Sequence, residues 1–301
     1  MYNSGGVSLY TPPSFTINPC KENQVNTTIK EGKEYMKTKK VVISGLLRNT
    51  ASRIPEIERR VEALGNLFYD YRVLVVENDS TDNSRELLLD WSKRNPKVII
   101  LGCGYNANKC SLGFKPTKGH SVYRSRIEKM VYLRNIYLEE IKKNYFDYDY
   151  AVIWDFDIVG SVYLDGIQNS FGYLKKDPNL DVMCSYGIYS WGPMKLFYDT
   201  YATLEKGDIF HIDNKKSHDL RKGIGMGLRY NRGDPPVRVI SCFSGFAIYK
   251  MESLLNPSVY YGMTSKEDNN LECEHVVLHK RMKDGVIKMN PNMIHLVVYN
   301  P

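Results

Sequence analysis

Residues 148–160 read YDYAVIWDFDIVG, and the rest of the chain is organised around this stretch. Tyr150–Trp154 is an unbroken run of β-branched, aromatic and small apolar residues, which is typical of a strand buried on both faces. The run ends in Asp155, Phe156 and Asp157. Because side chains alternate along an extended chain, the two acids are predicted to point one way and Phe156 the other, towards the core.

The two acids are candidate metal ligands. Two carboxylates at the carboxyl end of a buried strand are costly unless a cation holds them. Hard oxygen ligands suit Mg²⁺ or Mn²⁺, so Asp155 and Asp157 predict a divalent metal site. The alternative is that both are solvated residues at the start of a turn, because D-x-D is a short and common pattern.

Strand and helix patterns alternate along the first half of the chain. The apolar patterns predict strands at 41–47, 72–76, 98–101 and 150–154, and helices at 54–68, 84–91 and 125–143. This alternation predicts an α/β fold with a doubly wound, mostly parallel sheet flanked by helices. Polar clusters follow three of the strands: Arg48-Asn49, residues 77–82, and Asp155 with Asp157. Ligands of such sheets bind at the carboxyl ends of the strands, so these clusters are predicted to meet there.

The chain has material for one large domain. It contains 301 residues, of which 43% are hydrophobic, enough to bury a substantial core. Residues 1–38 are polar and broken by Gly and Pro, so we predict a lead-in segment there and a single domain at 39–301. No Gly-x-Gly-x-x-Gly motif follows the first strand, which argues against a dinucleotide dehydrogenase.

Charge and cysteine usage exclude several classes of protein. The net charge is +7 without any basic run, so we predict no nucleic-acid partner. No apolar run approaches the roughly 18 residues of a membrane span, and we expect a soluble, cytoplasmic protein, with peripheral membrane association left open. The six cysteines form no C-x-x-C pair, and reduced intracellular thiols are expected, the alternative being a small loop closed by Cys103 and Cys110.

Several motifs, taken in order, carry a resemblance to a known family. They are the 76–82 segment VENDSTD, Arg134-Asn135, the D-x-D at 155–157, YDTYA at 198–202, CFSGFA at 242–247, LECEH at 271–275, Asn290-Pro291 and His295. In this order they resemble the GT-A nucleotide-sugar glycosyltransferases, and in particular the fungal capsule-associated α-mannosyltransferases. The resemblance covers roughly residues 40–299. Thr203-Leu204 departs from it, because the fungal acceptor segment usually continues with an arginine.

The resemblance implies a GT-A domain with a nucleotide-binding half at 39–160 and an irregular acceptor-binding half at 161–301. It implies transfer of a sugar from a UDP-sugar or GDP-mannose to a glycan or other hydroxyl acceptor, with Mn²⁺ or Mg²⁺ as cofactor. The implied metal ligands are Asp155, Asp157 and His295. The expected donor contacts are Arg48, Asn49, Glu77, Asp79, Arg134, Asp155 and Gly245. The resemblance implies acceptor contacts in the segment of Tyr198, Asp199 and Tyr201, and Trp191 is a further candidate because of its aromatic ring.

Glu272 and Glu274 are the candidate catalytic acids. Two residues apart on a helix, they would project about 200° from each other, so only one can face the donor. We favour Glu274, because the neighbouring Val277 and Leu278 would seat it against the sheet. Arg134 suits a diphosphate geometrically, although a solvated arginine on the helix surface is the plain alternative.

Other interpretations stay open at this point. A nucleotidyltransferase also uses strand-end carboxylates and a metal, and a non-catalytic glycan-binding relative would keep the same motifs. His275 and His279 have the spacing of two zinc ligands, but one buried and one solvated histidine is the favoured interpretation. Residues 223–227 (GIGMG) are predicted to form a flexible loop whose basic neighbours suit a lid. Trp191, Tyr198 and Tyr201 are either an acceptor platform or core residues.

Overall fold

The computed structural model describes residues 19–103, 110–114, 124–191, 194–205, 228–263 and 271–297. Its helices in these ranges are α1 (Pro19–Met36), α2 (Ile54–Gly65), α3 (Ser84–Arg94), α4 (Arg124–Asn144), α5 (Leu164–Lys176), α6 (Met251–Leu255) and α7 (Glu274–Arg281). Its strands are β1 (Lys40–Leu47), β2 (Asp70–Glu77), β3 (Val98–Leu101), β4 (Tyr150–Trp154), β5 (Leu180–Trp191), β6 (Met194–Tyr198), β7 (Val237–Val239), β8 (Phe246–Lys250) and β9 (Val286–Val297).

The strands form one mixed, mostly parallel sheet in the order β3-β2-β1-β4-β8-β5-β9-β7, with β6 paired to β5. Strands β3, β2, β1 and β4 are parallel to one another, which confirms the predicted doubly wound half. Strand β8 is antiparallel to both β4 and β5, while β9 is parallel to β5. The second half of the chain therefore extends the sheet from β4, with antiparallel strands inserted at β8 and β7.

The sheet is covered on both faces, and the strand alternation assigns each side chain to one face. On one face Val42, Leu74 and Ile153 pack with Tyr137 and other residues of α4. On the other face Ile43, Val73, Val75 and Val152 pack against apolar residues of α2, α3 and α5, such as Ile57, Trp91 and Phe171. Burial on two faces explains the continuous apolar runs in the sequence of these strands.

Helix α1 lies within the segment 1–38, which the sequence analysis treats as a polar lead-in, so ordered structure begins earlier than predicted. Its contact with α5 uses small residues. A Cβ added to Gly32 would lie 1.7 Å from the Gln168 carbonyl oxygen, and one added to Gly172 would lie 2.2 Å from the Thr28 carbonyl oxygen. Because backbones rather than large apolar side chains meet here, the helix shows little of the apolar periodicity that reveals amphipathic helices.

Two disulfides correct the prediction of reduced thiols. Cys103 pairs with Cys110, which was the alternative interpretation, and Cys184 of β5 pairs with Cys242. The second pair is separated by 58 residues in sequence. Only the position of β5 beside the chain that leads into β8 brings these two thiols together, so their spacing gives no signal.

The longest described helices are α4 and α1, with 21 and 18 residues. Both carry charged residues along their length. None of the helices in the described ranges is both long and apolar enough to span a membrane.

Candidate active site

The carboxyl ends of β1, β2 and β4 lie side by side. Leu47, the last residue of β1, pairs with Glu77, the last residue of β2. On its other side β1 pairs with β4 through Ser44 and Ile153. The polar segments that follow these three strands therefore share one edge of the sheet, where ligands of doubly wound sheets bind.

A buried arginine on α4 connects two carboxylates at this edge. Arg134 Nε donates to Oε1 of Glu274 at 2.9 Å, and its Nη2 donates to Oδ1 of Asp155 at 3.0 Å. The third nitrogen, Nη1, donates to the Tyr137 hydroxyl at 3.3 Å. Only 3% of Arg134 is exposed. Burial alone would lower the pKa of Arg134, but Tyr137 and the two carboxylates raise it well above its usual value, so the guanidinium stays charged.

Aromatic rings complete the surroundings of this guanidinium. It lies 5.2 Å from the centre of the Phe243 ring and 5.9 Å from that of the Tyr261 ring. All three nitrogens of Arg134 are thus engaged within the protein. A direct contact between Arg134 and a donor diphosphate stays a prediction, whereas the geometry shows Arg134 fixing Asp155 and Glu274.

The D-x-D segment forms a turn directly after β4. Phe156 is buried, as predicted, while Asp155 is half-buried and Asp157 is exposed. The backbone N–H of Asp155 donates to the carbonyl of Gly245 at 2.9 Å. Burial raises the pKa of Asp155, with Arg134 opposing the rise and the negative charge of Asp157 adding to it. Desolvation also raises the pKa of Asp157, and the charges of Arg134, Arg53 and Arg126 oppose that rise.

Two arginines that the sequence analysis did not single out hold this turn in place. Arg53 donates to the carbonyl of Asp157 at 2.6 Å, and Arg60 donates to the carbonyl of Gly160 at 2.6 Å. Arg60 also lies over the Trp154 ring, 5.1 Å from its centre. Their acceptors are backbone carbonyls about a hundred positions along the chain, so no sequence motif marks the contacts.

The loop before β8 orients His295 of β9. The Nδ1 atom of His295 lies 2.7 Å from the carbonyl oxygen of Ser244, so Nδ1 carries the proton and donates it. Burial lowers the pKa of His295 to about 3, and the ring is neutral. Its Nε2 is consequently a free lone pair, and it is buried without a hydrogen-bond partner among the described residues.

The side chains of Asp155, Asp157 and His295 carry donor atoms of the kind that bind a divalent metal. In the described parts of the chain, no three His, Cys, Asp or Glu side chains already converge in a metal-binding arrangement. Metal-bound histidines commonly donate their second nitrogen to a backbone carbonyl, as His295 does to Ser244. An imidazole lone pair together with the carboxylates of Asp155 and Asp157 is a donor set that suits Mn²⁺.

Asp199, a predicted acceptor contact, is held by the same loop. Its Oδ2 accepts the backbone N–H of Ser244 at 3.0 Å, and its Oδ1 accepts that of Ala202 at 3.3 Å. Burial raises the pKa of Asp199 to about 6, and the negative charge of Glu274 contributes to the rise. Asp199 and Ser244 both have positive φ angles, 80° and 53°, a backbone geometry that costs energy in non-glycine residues.

The structure separates the two candidate catalytic acids. Glu274 is the first residue of α7, is buried and pairs with Arg134. Glu272 lies before the helix and pairs with Lys280 at the surface of α7. The two acids thus have different partners, and because α7 begins at Glu274 they are not two positions on one helix, as the prediction assumed.

The residues predicted to bind the nucleoside lie at the ends of β1 and β2. Glu77 is fully buried, and its carboxylate accepts from Arg85 at 3.0 Å and from the Ser80 backbone N–H at 3.1 Å. The carboxylate of Glu77 is thus engaged within the protein, and its predicted donor contact stays a prediction. Asp79 is half-buried and accepts the Leu112 N–H at 2.9 Å, and Arg48 donates to the Asp79 carbonyl at 3.3 Å.

Asn49 makes hydrogen bonds between two loops at the same edge. Its side-chain oxygen accepts the Thr81 backbone N–H at 2.8 Å, and its own N–H donates to the Ser80 hydroxyl at 3.2 Å. It thereby joins the loops that follow β1 and β2. A donor contact by Asn49 stays a prediction.

The structure describes only some of the side chains that are predicted to contact the acceptor. Tyr198 and Tyr201 are half-buried, and the Tyr201 hydroxyl donates to the Leu271 carbonyl at 3.1 Å. The side chain of Trp191 and residues 223–227 lie outside the described part of the chain. The predicted platform and the predicted lid therefore stay predictions.

Both helix histidines are buried, which corrects the expectation that one is solvated. His275 stacks on the Phe243 ring with 3.7 Å between ring centres. His279 lies 2.9 Å from the Ser241 hydroxyl through Nδ1 and 2.9 Å from the Tyr249 hydroxyl through Nε2. The contacts of both rings are those of packed core residues.

Comparison with solved structures gives distant similarities. A mannosyltransferase, PcManGT from Pyrobaculum calidifontis, in complex with GDP-Man and Mn²⁺, shares 12% identity over 92% of this chain and 65% of its own, with a TM-score of 0.45. S. aureus TarS 1-349 in complex with UDP-GlcNAc shares 13% identity over 87% of this chain and 59% of its own, with a TM-score of 0.47. Glucosyl-3-phosphoglycerate synthase of M. tuberculosis shares 11% identity over 91% of this chain and 76% of its own, with a TM-score of 0.47. This chain thus spans less than two thirds of the first two proteins.

The family comparison covers most of the chain. No curated protein matches it, but the family model described as cryptococcal mannosyltransferase 1 matches residues 40–280. This range includes every site residue described above except His295, because all of β9 lies beyond it. The chain therefore belongs to the family described as cryptococcal mannosyltransferase 1.

Proposed function

We propose that this glycosyltransferase moves a hexose from a nucleoside-diphosphate sugar, either GDP-mannose or a UDP-sugar, to a hydroxyl of a glycan or similar acceptor, and that it requires Mn²⁺ or Mg²⁺. One observation carries the metal dependence. The buried Nε2 lone pair of His295 has no partner among the described residues, and its ring touches the loop that receives the Asp155 N–H.

That contact runs through Gly245. A Cβ built on Gly245 would lie 2.8 Å from Cε1 of His295, and the carbonyl of the same glycine accepts the N–H of Asp155 at 2.9 Å. The imidazole of His295 and the D-x-D turn therefore both contact Gly245. A buried imidazole lone pair without a partner among the described residues, in contact with the glycine that holds the D-x-D turn, supports a metal site better than it supports packing alone.

The metal would be held by Asp157, Asp155 and Nε2 of His295. When bound, it would neutralise charge on the diphosphate leaving group. The chain itself prepares these ligands. Ser244 holds His295 in the tautomer with a free Nε2, and Arg134 orients Asp155.

Two acids are candidates for taking the proton of the acceptor hydroxyl. Glu274 is our first choice, because it is buried and fixed next to the D-x-D turn by Arg134. Asp199 is the second choice, because burial raises its pKa to about 6, close to the range in which a general base works best. Nucleoside contacts are assigned to the half-buried Asp79 and Arg48.

The direct test is a donor screen. Purified protein is incubated with GDP-mannose and a set of UDP-sugars, with a glycan mixture as acceptor, and release of nucleoside diphosphate is measured with Mn²⁺ or with EDTA. We expect release from one donor, and loss of this release in EDTA. Equal release in EDTA would contradict the metal dependence, and pyrophosphate release from a nucleoside triphosphate would instead favour a nucleotidyltransferase.

A further inference from the structure

Lys129 of α4 is a buried cation that the proposed mechanism does not yet use. Its exposed fraction is 8%. Its ammonium lies over the Phe114 ring, 5.5 Å from the ring centre. Within the described ranges it has no hydrogen-bond partner and no ion pair. An ammonium desolvated in this way is costly unless an anion reaches it.

The surroundings of Lys129 place it at the end of β2. Phe114 belongs to segment 110–114, which docks on this end because the Leu112 N–H donates to Oδ1 of Asp79 at 2.9 Å. Arg48 reaches the same residue from the end of β1, donating to the Asp79 carbonyl at 3.3 Å. Lys129 and Arg48 thus converge on the nucleotide side of the edge.

Asp79 does not neutralise Lys129 by direct contact. Its Oδ1 accepts the Leu112 N–H, and its Oδ2 accepts the side-chain amide of Asn78 at 3.1 Å. Burial and the positive charge of Arg48 lower the pKa of Lys129, and the charge of Asp79 opposes them. Two neighbouring cations with no acid paired to Lys129 form a place that favours an anion.

We propose that Lys129 binds a phosphate of the nucleoside-diphosphate donor, with Arg48 beside it. This inference rests on the proposed function, because it assumes that the ligand at this edge is a nucleoside diphosphate. Lysine binds phosphate as a point charge, and a phosphate at the ends of β1 and β2 would lie between a nucleoside at Asp79 and the D-x-D turn after β4. In this proposal the role of Lys129 is to bind the donor.

The test compares Lys129→Met with Lys129→Arg and with Lys143→Met, which removes an exposed lysine from the far end of the same helix. Calorimetry measures affinity for UDP and GDP in the presence of Mn²⁺, and ligand-observed NMR measures the weaker binding of uridine and guanosine. A charged hydrogen bond of this kind corresponds to roughly a 10- to 100-fold loss of diphosphate affinity in Lys129→Met. We expect nucleoside binding to be unchanged, Lys129→Arg to lose less, and Lys143→Met to match the wild type.

Thermal unfolding without ligand gives an independent readout. Because Lys129→Met removes a buried charge that has no acid partner among the described residues, its melting temperature is expected to equal or exceed that of the wild type. A residue kept only for packing or stability would show the opposite change. Lower affinity together with unchanged or higher stability therefore identifies a binding role.

The test distinguishes a failure of the proposed function from a failure of the inference about Lys129. If the wild type binds neither UDP nor GDP, the proposed function is wrong, and this inference falls with it. If the wild type binds one of them and Lys129→Met binds it equally well, only the inference is overturned. The inference is also overturned if Lys129→Met loses nucleoside and diphosphate equally, or if it unfolds at a markedly lower temperature.

Discussion

Arg134 and Glu274 form a buried ion pair, with 2.9 Å between Nε and Oε1, that joins α4 to the first turn of α7. The same guanidinium donates to Asp155 at 3.0 Å. The acid at the end of β4 and the acid that begins α7 are therefore held by one cation. A change at any one of the three alters the electrostatic surroundings of the other two.

The first prediction separates chemistry from binding at Glu274. Glu274→Gln keeps an oxygen that can accept from Arg134 but removes the base and its negative charge. We expect turnover to fall by roughly 10²–10⁴, the range typical of acid–base residues, with donor affinity nearly kept. Steady-state release of nucleoside diphosphate, combined with donor affinity from calorimetry, measures both quantities.

Glu272→Gln is the matched control, because Glu272 lies before α7 and pairs with Lys280. We expect it to retain nearly full turnover. An inactive Glu272→Gln beside an active Glu274→Gln would show that the acids are assigned the wrong way round. If Asp199→Asn alone abolishes turnover, Asp199 is the base instead.

The second prediction concerns stability. Arg134→Met leaves two carboxylates, of which Glu274 is almost fully buried, without their cation. Breaking a buried ion pair from one side costs roughly 3–5 kcal/mol of the free energy of unfolding. Urea denaturation measures this loss. Arg94→Met removes an arginine that pairs with Glu58 at the surface, and its denaturation midpoint should stay close to that of the wild type; an equal loss in both variants would argue against a special role of Arg134.

The third prediction concerns the contact between Gly245 and His295. Gly245 has φ of 78°, and an added Cβ would lie 2.4 Å from Cδ1 of Ile158 and 2.8 Å from Cε1 of His295. Gly245→Ala is therefore expected to displace the imidazole and to weaken Mn²⁺-dependent nucleotide binding. Gly113→Ala is the control, because Gly113 has φ of 76° but open space at its Cβ position. Equal binding by the two variants would mean that the close approach at Gly245 is unimportant.

The fourth prediction is a pH dependence of stability. Burial lowers the pKa of His279 to about 3, while the unfolded chain protonates this residue near 6.5. The folded state thus favours neutral His279, and this contribution is complete above pH 6.5 and is lost as the pH falls from 6.5 towards 3. The slope is about 1.4 kcal/mol per pH unit.

His279→Gln tests this dependence. We expect the variant to be less stable at pH 7.5, because Ser241 and Tyr249 lose their ring partner. Its free energy of unfolding should also fall less steeply than that of the wild type between pH 6.5 and 5. Denaturation curves at several pH values give both numbers, and identical slopes would show that His279 does not titrate as described.

The sequence predicts the first half of the sheet well, because local signals decide it. The buried strand at 150–154 and the strand at 98–101 have the predicted bounds, and the turn at Asp155 follows from the acids themselves. The 3.6-residue apolar period of α2 also marks its helix, although the helix ends at Gly65 rather than at residue 68. Parallel strands with helical crossovers leave few alternatives for their order.

Long-range contacts account for what the sequence does not predict. The burial of Glu77 depends on Arg85, whose guanidinium pairs with its carboxylate inside the protein. In sequence, an acid at the end of a strand looks the same whether it faces a ligand or an arginine. Arg53 and Arg60 act on backbone carbonyls, which have no sequence identity. Helix α1 approaches α5 through Gly32 and Thr28, and a close approach of two backbones leaves no apolar periodicity in the sequence.

The most direct test of a metal-dependent donor site is calorimetry of GDP and UDP binding to the wild type and to Asp157→Ala, each with Mn²⁺ and with EDTA. Asp157 is exposed and makes no ion pair within the described residues, so its substitution should leave the fold intact. We predict Mn²⁺-dependent binding of one nucleotide by the wild type, and loss of this dependence in Asp157→Ala. Unchanged Mn²⁺-dependent affinity in Asp157→Ala would contradict the account.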